Sequence, residues 1–283
     1  MRSGRGSIAA AALALVSALP AMGAAPGVTV PPPGTPWDWQ LVAPIRPPAG
    51  MVVFDTDPDL VSAGTIAALK RRGVWTICYV SVGTREDWRA DAARFPPEVV
   101  GRPYAGWPGE RFLDIRRRDI LVPIMRARFE NCRRLGFDAV EPDNIDLHEN
   151  DTGFAIKAED VLRYVDELAR TAHSLGLAIG QKNAPELAGK LALTLDFALV
   201  ESCAAEGWCA AMRPYPARGK PVFAAEYVER MPWEKEGASA CALAARIGLS
   251  LIFKHRDLDA FRRACPGAAA PREAAGGAGS ARE

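Results

Sequence analysis

Eight short runs rich in β-branched and aromatic residues recur through the middle of the chain at nearly even spacing, and that rhythm limits the possible folds more than any single motif does. The runs are Met51–Asp55, Val74–Ser81, Arg111–Ile115, Asp138–Glu141, Leu177–Gln181, Phe197–Glu201, Pro221–Glu226 and Leu249–Phe253. Most are continuous apolar stretches, the pattern of parallel strands buried on both faces. Helical patterns lie between them, clearest at Leu121, Met125, Phe129 and Cys132 and at Val161, Val165, Leu168, Ala172 and Leu175. Asp57, after the first run, and Lys254, after the eighth, bracket seven units of about 28 residues, close to the roughly thirty of one βα unit. The expected fold is α/β, a single (β/α)8 TIM-like barrel. A doubly wound open sheet is the alternative, disfavoured because neither G-x-G-x-x-G nor G-x-x-x-x-G-K-[ST] follows the first run.

The two ends of the chain read differently. Arg2 and Arg5 precede an apolar stretch, Ile8 to Leu19, followed by Pro20 and small residues, so residues 1–25 are expected to be a secretory signal peptide. The apolar stretch is shorter than the roughly twenty residues of a membrane span. Residues 26–36 read as a proline-rich stalk, 37–266 as the barrel domain and 267–283 as a disordered tail. The protein is therefore expected to be secreted or periplasmic, monomeric, and free of the membrane once the signal is cleaved. In an oxidising compartment an even set of six cysteines favours disulfides over metal ligation. Cys203 with Cys209, flanking a short loop, and Cys241 with Cys265, bracketing the last strand and helix, are the expected pairs. Cys78, inside the run TICYV, and Cys132, on a helical apolar stripe, read as buried thiols.

A charge count of 35 Lys and Arg against 34 Asp and Glu gives a net +1, which excludes the strongly basic surface of a nucleic-acid-binding protein. Three scattered histidines argue against a histidine-built metal site. In a barrel the chemistry sits at the carboxyl ends of the strands. Those ends carry Asp55 and Asp57, then Asp114, then Glu141, Asp143, Asn144 and Asp146, then Lys182 and Asn183, then Glu201, and finally Glu226 and Tyr227. Carboxylates thus converge on one rim from at least five strands. With no nucleophilic serine or cysteine motif, such a rim suits cleavage of a glycosidic bond by two carboxylates. Aromatic residues near strand ends, Tyr79 and Trp107 among them, would stack on sugar faces. A metal-dependent hydrolase and a non-catalytic carbohydrate-binding barrel are the competing readings. No cofactor and no metal are expected.

Several ordered segments carry a resemblance: WDWQL from Trp37, CYVSVGTREDWRADAARFP from Cys78, GWPGERFLDIR from Gly106, GFDAVEPDNIDLHENDTGF from Gly136, GQKN from Gly180, Glu201-Ser202-Cys203 with Cys209, GKPVFAAEY from Gly219, and FKHRDLDAFRRAC from Phe253. Together they resemble the endo-α-1,4-polygalactosaminidase family, glycoside hydrolase family 114. The resemblance implies a TIM-like barrel that hydrolyses α-1,4-linked galactosamine polymers by a retaining mechanism. It implies Asp143 as the nucleophile and Glu201 as the acid/base, with Glu141 and Asp146 as rivals for the first role. Glu141 could instead point inward to hold Lys182 or Arg116. Asp55 and Asp57 are expected to bind sugar hydroxyls or an ammonium group. Lys182, Asn183, Glu226 and Tyr227 are expected to hydrogen-bond the sugar or orient the catalytic pair, and Asn144 to line the same site.

Overall fold

A computed structural model describes residues 28–266. The expected signal peptide and tail, and the first two residues of the stalk, lie outside the described residues. The elements run β1 (Trp37–Gln40), β2 (Val53–Thr56), α1 (Ala63–Arg71), β3 (Trp75–Ser81), β4 (Thr84–Glu86), β5 (Val100–Pro103), β6 (Glu110–Leu113), α2 (Arg118–Leu135), β7 (Ala139–Asp143), α3 (Ala158–Ser174), β8 (Ala178–Lys182), α4 (Ala188–Leu191), β9 (Phe197–Glu201), β10 (Val222–Tyr227), α5 (Trp233–Ile247), β11 (Ser250–Lys254) and β12 (Arg263–Ala264). Eight of these strands, β1, β2, β3, β7, β8, β9, β10 and β11, lie side by side in that order, each parallel to the next, and form the barrel.

Seven of the eight barrel strands fall on runs expected from the sequence. The exception is Arg111–Ile115. Its core, β6, pairs antiparallel with β4 and β5 in a separate three-stranded sheet inserted between β3 and α2. The vacant place in the barrel belongs to Trp37–Gln40. Its segment WDWQ looks half polar, yet all four residues are buried. Asp38 is satisfied by Lys254 Nζ at 2.9 Å and by Gln40 Nε2 at 2.8 Å, and Gln40 exchanges hydrogen bonds with the Arg46 backbone. A partner 216 residues away is invisible to a local reading.

β1 and β11 meet at the seam of the barrel. Trp37 Nε1 donates to the Ser250 carbonyl at 2.7 Å, and Arg262 Nε to the Trp37 carbonyl at 2.7 Å. β12 adds antiparallel to β11, so the last described segment covers the joint.

Strand alternation sorts the core into two bodies. Trp37, Val53, Ile77, Ala139, Ala178, Phe197, Leu199, Phe223, Ala225 and Ile252 fill the barrel interior. The outward set packs under the helices, where α2 buries Leu121, Met125, Phe129 and Cys132 and α3 buries Val161, Val165, Leu168 and Ala172. Gly180 is required inside because a Cβ there would stand 2.5 Å from the Phe197 ring.

The two expected bridges, Cys203–Cys209 and Cys241–Cys265, are present. The reading of Cys78 and Cys132 as buried thiols is corrected. They form a third disulfide, because Cys78 faces outward from β3 and Cys132 lies on the inward stripe of α2. Among the described residues no cysteine is free and no helix is long and apolar enough to cross a membrane.

Candidate active site

The inward-facing positions at the carboxyl ends of neighbouring strands bring Tyr79, Glu141, Asp143, Lys182, Glu201 and Tyr227 together. Register explains the gathering: Tyr79 stands opposite Glu141 and Ser81 opposite Asp143, so the odd positions of β3 and β7 share the interior. Lys182 stands opposite Leu199 on β9, two residues before Glu201.

Lys182 is the hub. Its Nζ lies 2.6 Å from Glu141 Oε1, 3.0 Å from Asp143 Oδ1 and 3.3 Å from Glu201 Oε2, and 4.5 Å from the centre of the Trp39 ring. Burial opposes the charge, but Asp143, Glu141 and Glu201 outweigh it and hold the ammonium protonated well above its ordinary range. One lysine charge thus occupies the point shared by three carboxylates.

Glu141 lies beneath that hub, fully buried. Burial pushes its carboxyl up to about 7 despite the pull of Lys182. Asp55, equally buried, sits against it. Burial first and Glu141 second raise the Asp55 carboxyl well above its usual range. Among the described residues both carboxyl oxygens of Asp55 and Oε2 of Glu141 are buried without a hydrogen-bond partner. Neither acid reaches the open cleft. Asp55 therefore does not contact sugar as expected from its place at a strand end, and Glu141 supports Lys182.

Both oxygens of Asp143 are held. Oδ1 accepts from the Asn144 amide at 2.9 Å, and Oδ2 accepts from Tyr79 Oη at 2.8 Å and from Asn144 Nδ2 at 3.2 Å. Asn144 adopts a left-handed backbone, φ 62°, that turns the chain immediately after β7. Gly83 makes room for the turn, because a Cβ there would lie 1.7 Å from the Asn144 carbonyl oxygen. Asn183, Ala184 and Ser202 turn the chain in the same left-handed way after β8 and β9.

Glu201 accepts a short hydrogen bond from Tyr227 Oη, while its own amide is held by Asn183 Oδ1 at 2.9 Å. Asn183 thus fixes backbone. Glu226 is fully buried and accepts the amides of Ala204 and Ala205, at 2.7 and 3.3 Å, anchoring the loop closed by Cys203–Cys209. Its expected contact with sugar is replaced by this support of the loop.

Two adjoining cavities form the cleft. One, of about 480 Å³, is lined by Asp143, Asp146, Lys182, Glu201, Trp208 and Tyr227 among others. The second, of about 710 Å³, is lined by Asp57, Trp88, Arg89 and Asp259. Tyr79, Trp107, Glu110 and Arg256 border both. Asp146 faces the first cavity, and burial followed by the neighbouring Asp143 raises its carboxyl to about 6. Asp57 is held by Arg89 at 2.6 Å. Arg116, offered as a partner for Glu141, pairs with Asp114 instead.

Tyr104, Glu110 and Arg256, on the walls of this cleft, escaped the sequence reading, whereas Trp39, expected among the sugar-stacking aromatics, lies under Lys182. Glu110 begins an apolar run, so a rule that reads strand carboxyl ends passes over it. Arg256 follows the last barrel strand at such an end, with its guanidinium 5.2 Å from the ring centres of both Trp107 and Tyr227.

The description "Glycoside-hydrolase family GH114" belongs to the family model that matches residues 17–270. A comparison with the curated proteins gave no match. Among solved structures, the chain is similar to Aspergillus fumigatus Ega3 in complex with galactosamine, at 31% identity over 83% of this chain and 96% of that one, TM-score 0.78. It also shares the fold of the glycoside hydrolase domain of PelA from Pseudomonas aeruginosa, at 17% identity over 81% of this chain and 98% of that one, TM-score 0.61.

Proposed function

The chain belongs to the glycoside-hydrolase family GH114 and is a glycosidase, and from that premise we propose that it cleaves α-1,4-linked galactosamine-containing polysaccharide by a retaining mechanism in an oxidising compartment outside the cytoplasm. The observation that carries the reading is the position of Asp143 and Glu201 on either side of Lys182. Laid end to end, the two contacts cap the separation of those carboxylate oxygens at about 6.3 Å, just under the roughly 6.5–9.5 Å that inverting enzymes leave for water. A pair that close suits direct attack by one carboxylate.

Asp143 attacks the anomeric carbon while Glu201 protonates the departing glycosidic oxygen. Glu201 then takes a proton from water as the glycosyl–Asp143 ester is hydrolysed. Tyr79 and Asn144 aim Asp143, and Lys182 offsets the charge that returns to it as the ester breaks. Two adjoining cavities give a cleft longer than one sugar, which suits cleavage inside a chain. The three disulfides support an oxidising location.

The test is release of new reducing ends from an α-1,4-galactosamine polymer. Asp143→Asn and Glu201→Gln should each lower the rate by roughly three orders of magnitude or more while the protein stays folded. Wild-type-like turnover in either variant removes that residue from the mechanism. Product anomers followed by NMR from the first minutes decide retention against inversion.

A further inference from the structure

Three other buried acids around the cleft have their charge answered. Glu86 is paired with Arg89 at 2.9 Å, Glu141 with Lys182 at 2.6 Å, and Glu226 accepts two backbone amides. Asp55 is sealed beneath the cleft, and burial raises its carboxyl well above the usual range. Glu110 differs. It is 6% exposed, yet among the described residues no cation lies within salt-bridge distance of it. Thr84 Oγ1 holds Oε2 at 2.6 Å, and Oε1 has no hydrogen-bond partner. The residue stands on the inserted sheet where the two cavities meet, beside Tyr79 and Trp107. Its free Oε1 is not sealed inside the protein, so a ligand in the cleft can complete it.

We propose that Glu110 Oε1 receives the ammonium of an amino-sugar unit bound next to the one whose bond is cut, making the meeting point of the two cavities a binding subsite for a 2-amino-2-deoxyhexose. The assignment rests on the amino-sugar reading above and gives it a location. Hydrogen bonds place the subsite beside the chemistry: Thr84 Oγ1 is 2.6 Å from Ser81 Oγ, Asn144 Nδ2 donates to Ser81 at 3.0 Å, and the same Nδ2 reaches Asp143. Trp107 and Tyr104 supply apolar faces for the sugar ring on the same wall. Burial, and after it the nearby Glu86 and Asp143, push the Glu110 carboxyl up to about 7 against the Thr84 bond. A bound cation would offset that strain.

The test compares binding of galactosamine and N-acetylgalactosamine to the full-length protein and to Glu110→Gln, which keeps an acceptor for Thr84. The wild-type protein should prefer galactosamine by about tenfold, the size expected of one charge-assisted hydrogen bond. Glu110→Gln and Glu110→Ala should each reduce the preference to under about twofold, with Glu110→Gln unfolding at a temperature no lower than that of wild type. A preference that survives in both variants overturns the proposal. So does loss of the preference in Asp146→Asn with Glu110→Gln unaffected, since that places the ammonium at Asp146. The binding measurement is independent of turnover. Absence of reducing ends from the galactosamine polymer would count against the enzyme reading alone, and an unchanged preference in the Glu110 variants against this subsite alone.

Discussion

Lys182 Nζ and Asp143 Oδ1 stand 3.0 Å apart across the barrel mouth, with the same nitrogen 2.6 Å from buried Glu141 below. The lysine thus joins the acid proposed as nucleophile to an acid that does not line the cleft. Removing it exposes two costs at once: a buried Glu141 without its cation, and an Asp143 without its counter-charge.

Lys182→Met should therefore destabilise the protein by about 3–5 kcal/mol, the usual cost of stranding one partner of a buried ion pair. Adding Glu141→Gln should return part of that stability and none of the activity. Urea denaturation beside reducing-end assays separates the two effects; equal stability of Lys182→Met and wild type would contradict the arrangement.

Tyr79 gives Asp143 one hydrogen bond and packs by its ring. Tyr79→Phe keeps the ring, so thermal stability should change little. Loss of a hydrogen bond to a charged group amounts to about 1.5–3 kcal/mol, so kcat should fall by roughly ten- to a hundredfold. An unaltered kcat would show that Asn144 alone aims the carboxylate.

Stability should fall as pH rises from about 4.5 to about 7. Glu110, raised from 4.5 to about 7, and Asp146, raised from 3.8 to about 6, bind their protons more tightly folded than unfolded. Their contribution is complete below the unfolded values and is lost as pH climbs through the folded ones. Denaturation midpoints at several pH values should show a shallower decline in Glu110→Gln than in wild type. A steeper decline in the variant would reverse the sign.

The disulfides should differ in what they protect. Cys78–Cys132 closes 54 residues and Cys203–Cys209 closes 6, so chain entropy assigns about 4 kcal/mol to the first and about 2 to the second. Cys78→Ala with Cys132→Ala should lower the unfolding temperature most. Cys203→Ala with Cys209→Ala should affect activity more, because Ser202 and Trp208 border the cleft from that loop. Comparable stability losses in the two pairs would argue against loop closure as the origin.

The barrel was legible because parallel strands buried on both faces advertise themselves as apolar runs, and β7 through β11 are such runs. WDWQ was not, since its buried Asp38 depends on Lys254 at the far end of the chain. Nor was the fate of Arg111–Ile115, whose apolar content suits an antiparallel strand as well as a parallel one. At the site, reading strand ends collected Asp143, Lys182 and Glu201 correctly in space. It could not tell which acids face the cleft, because Asp55 and Glu226 differ from Asp143 only in what surrounds them. Glu110 was missed because it reaches the cleft from the inserted sheet, outside the barrel rim.

That inserted sheet, β4, β5 and β6, occupies a single interval between β3 and α2 and contributes one wall of the cleft, while Asp143 and Glu201, the proposed reacting pair, sit on β7 and β9. On the proposed roles, recognition and bond cleavage are consequently written largely in separate stretches of the chain. Residues 85–113 could be redesigned for another polymer with the reacting pair left in place, provided that Thr84, whose hydroxyl leads through Ser81 to Asn144, is kept.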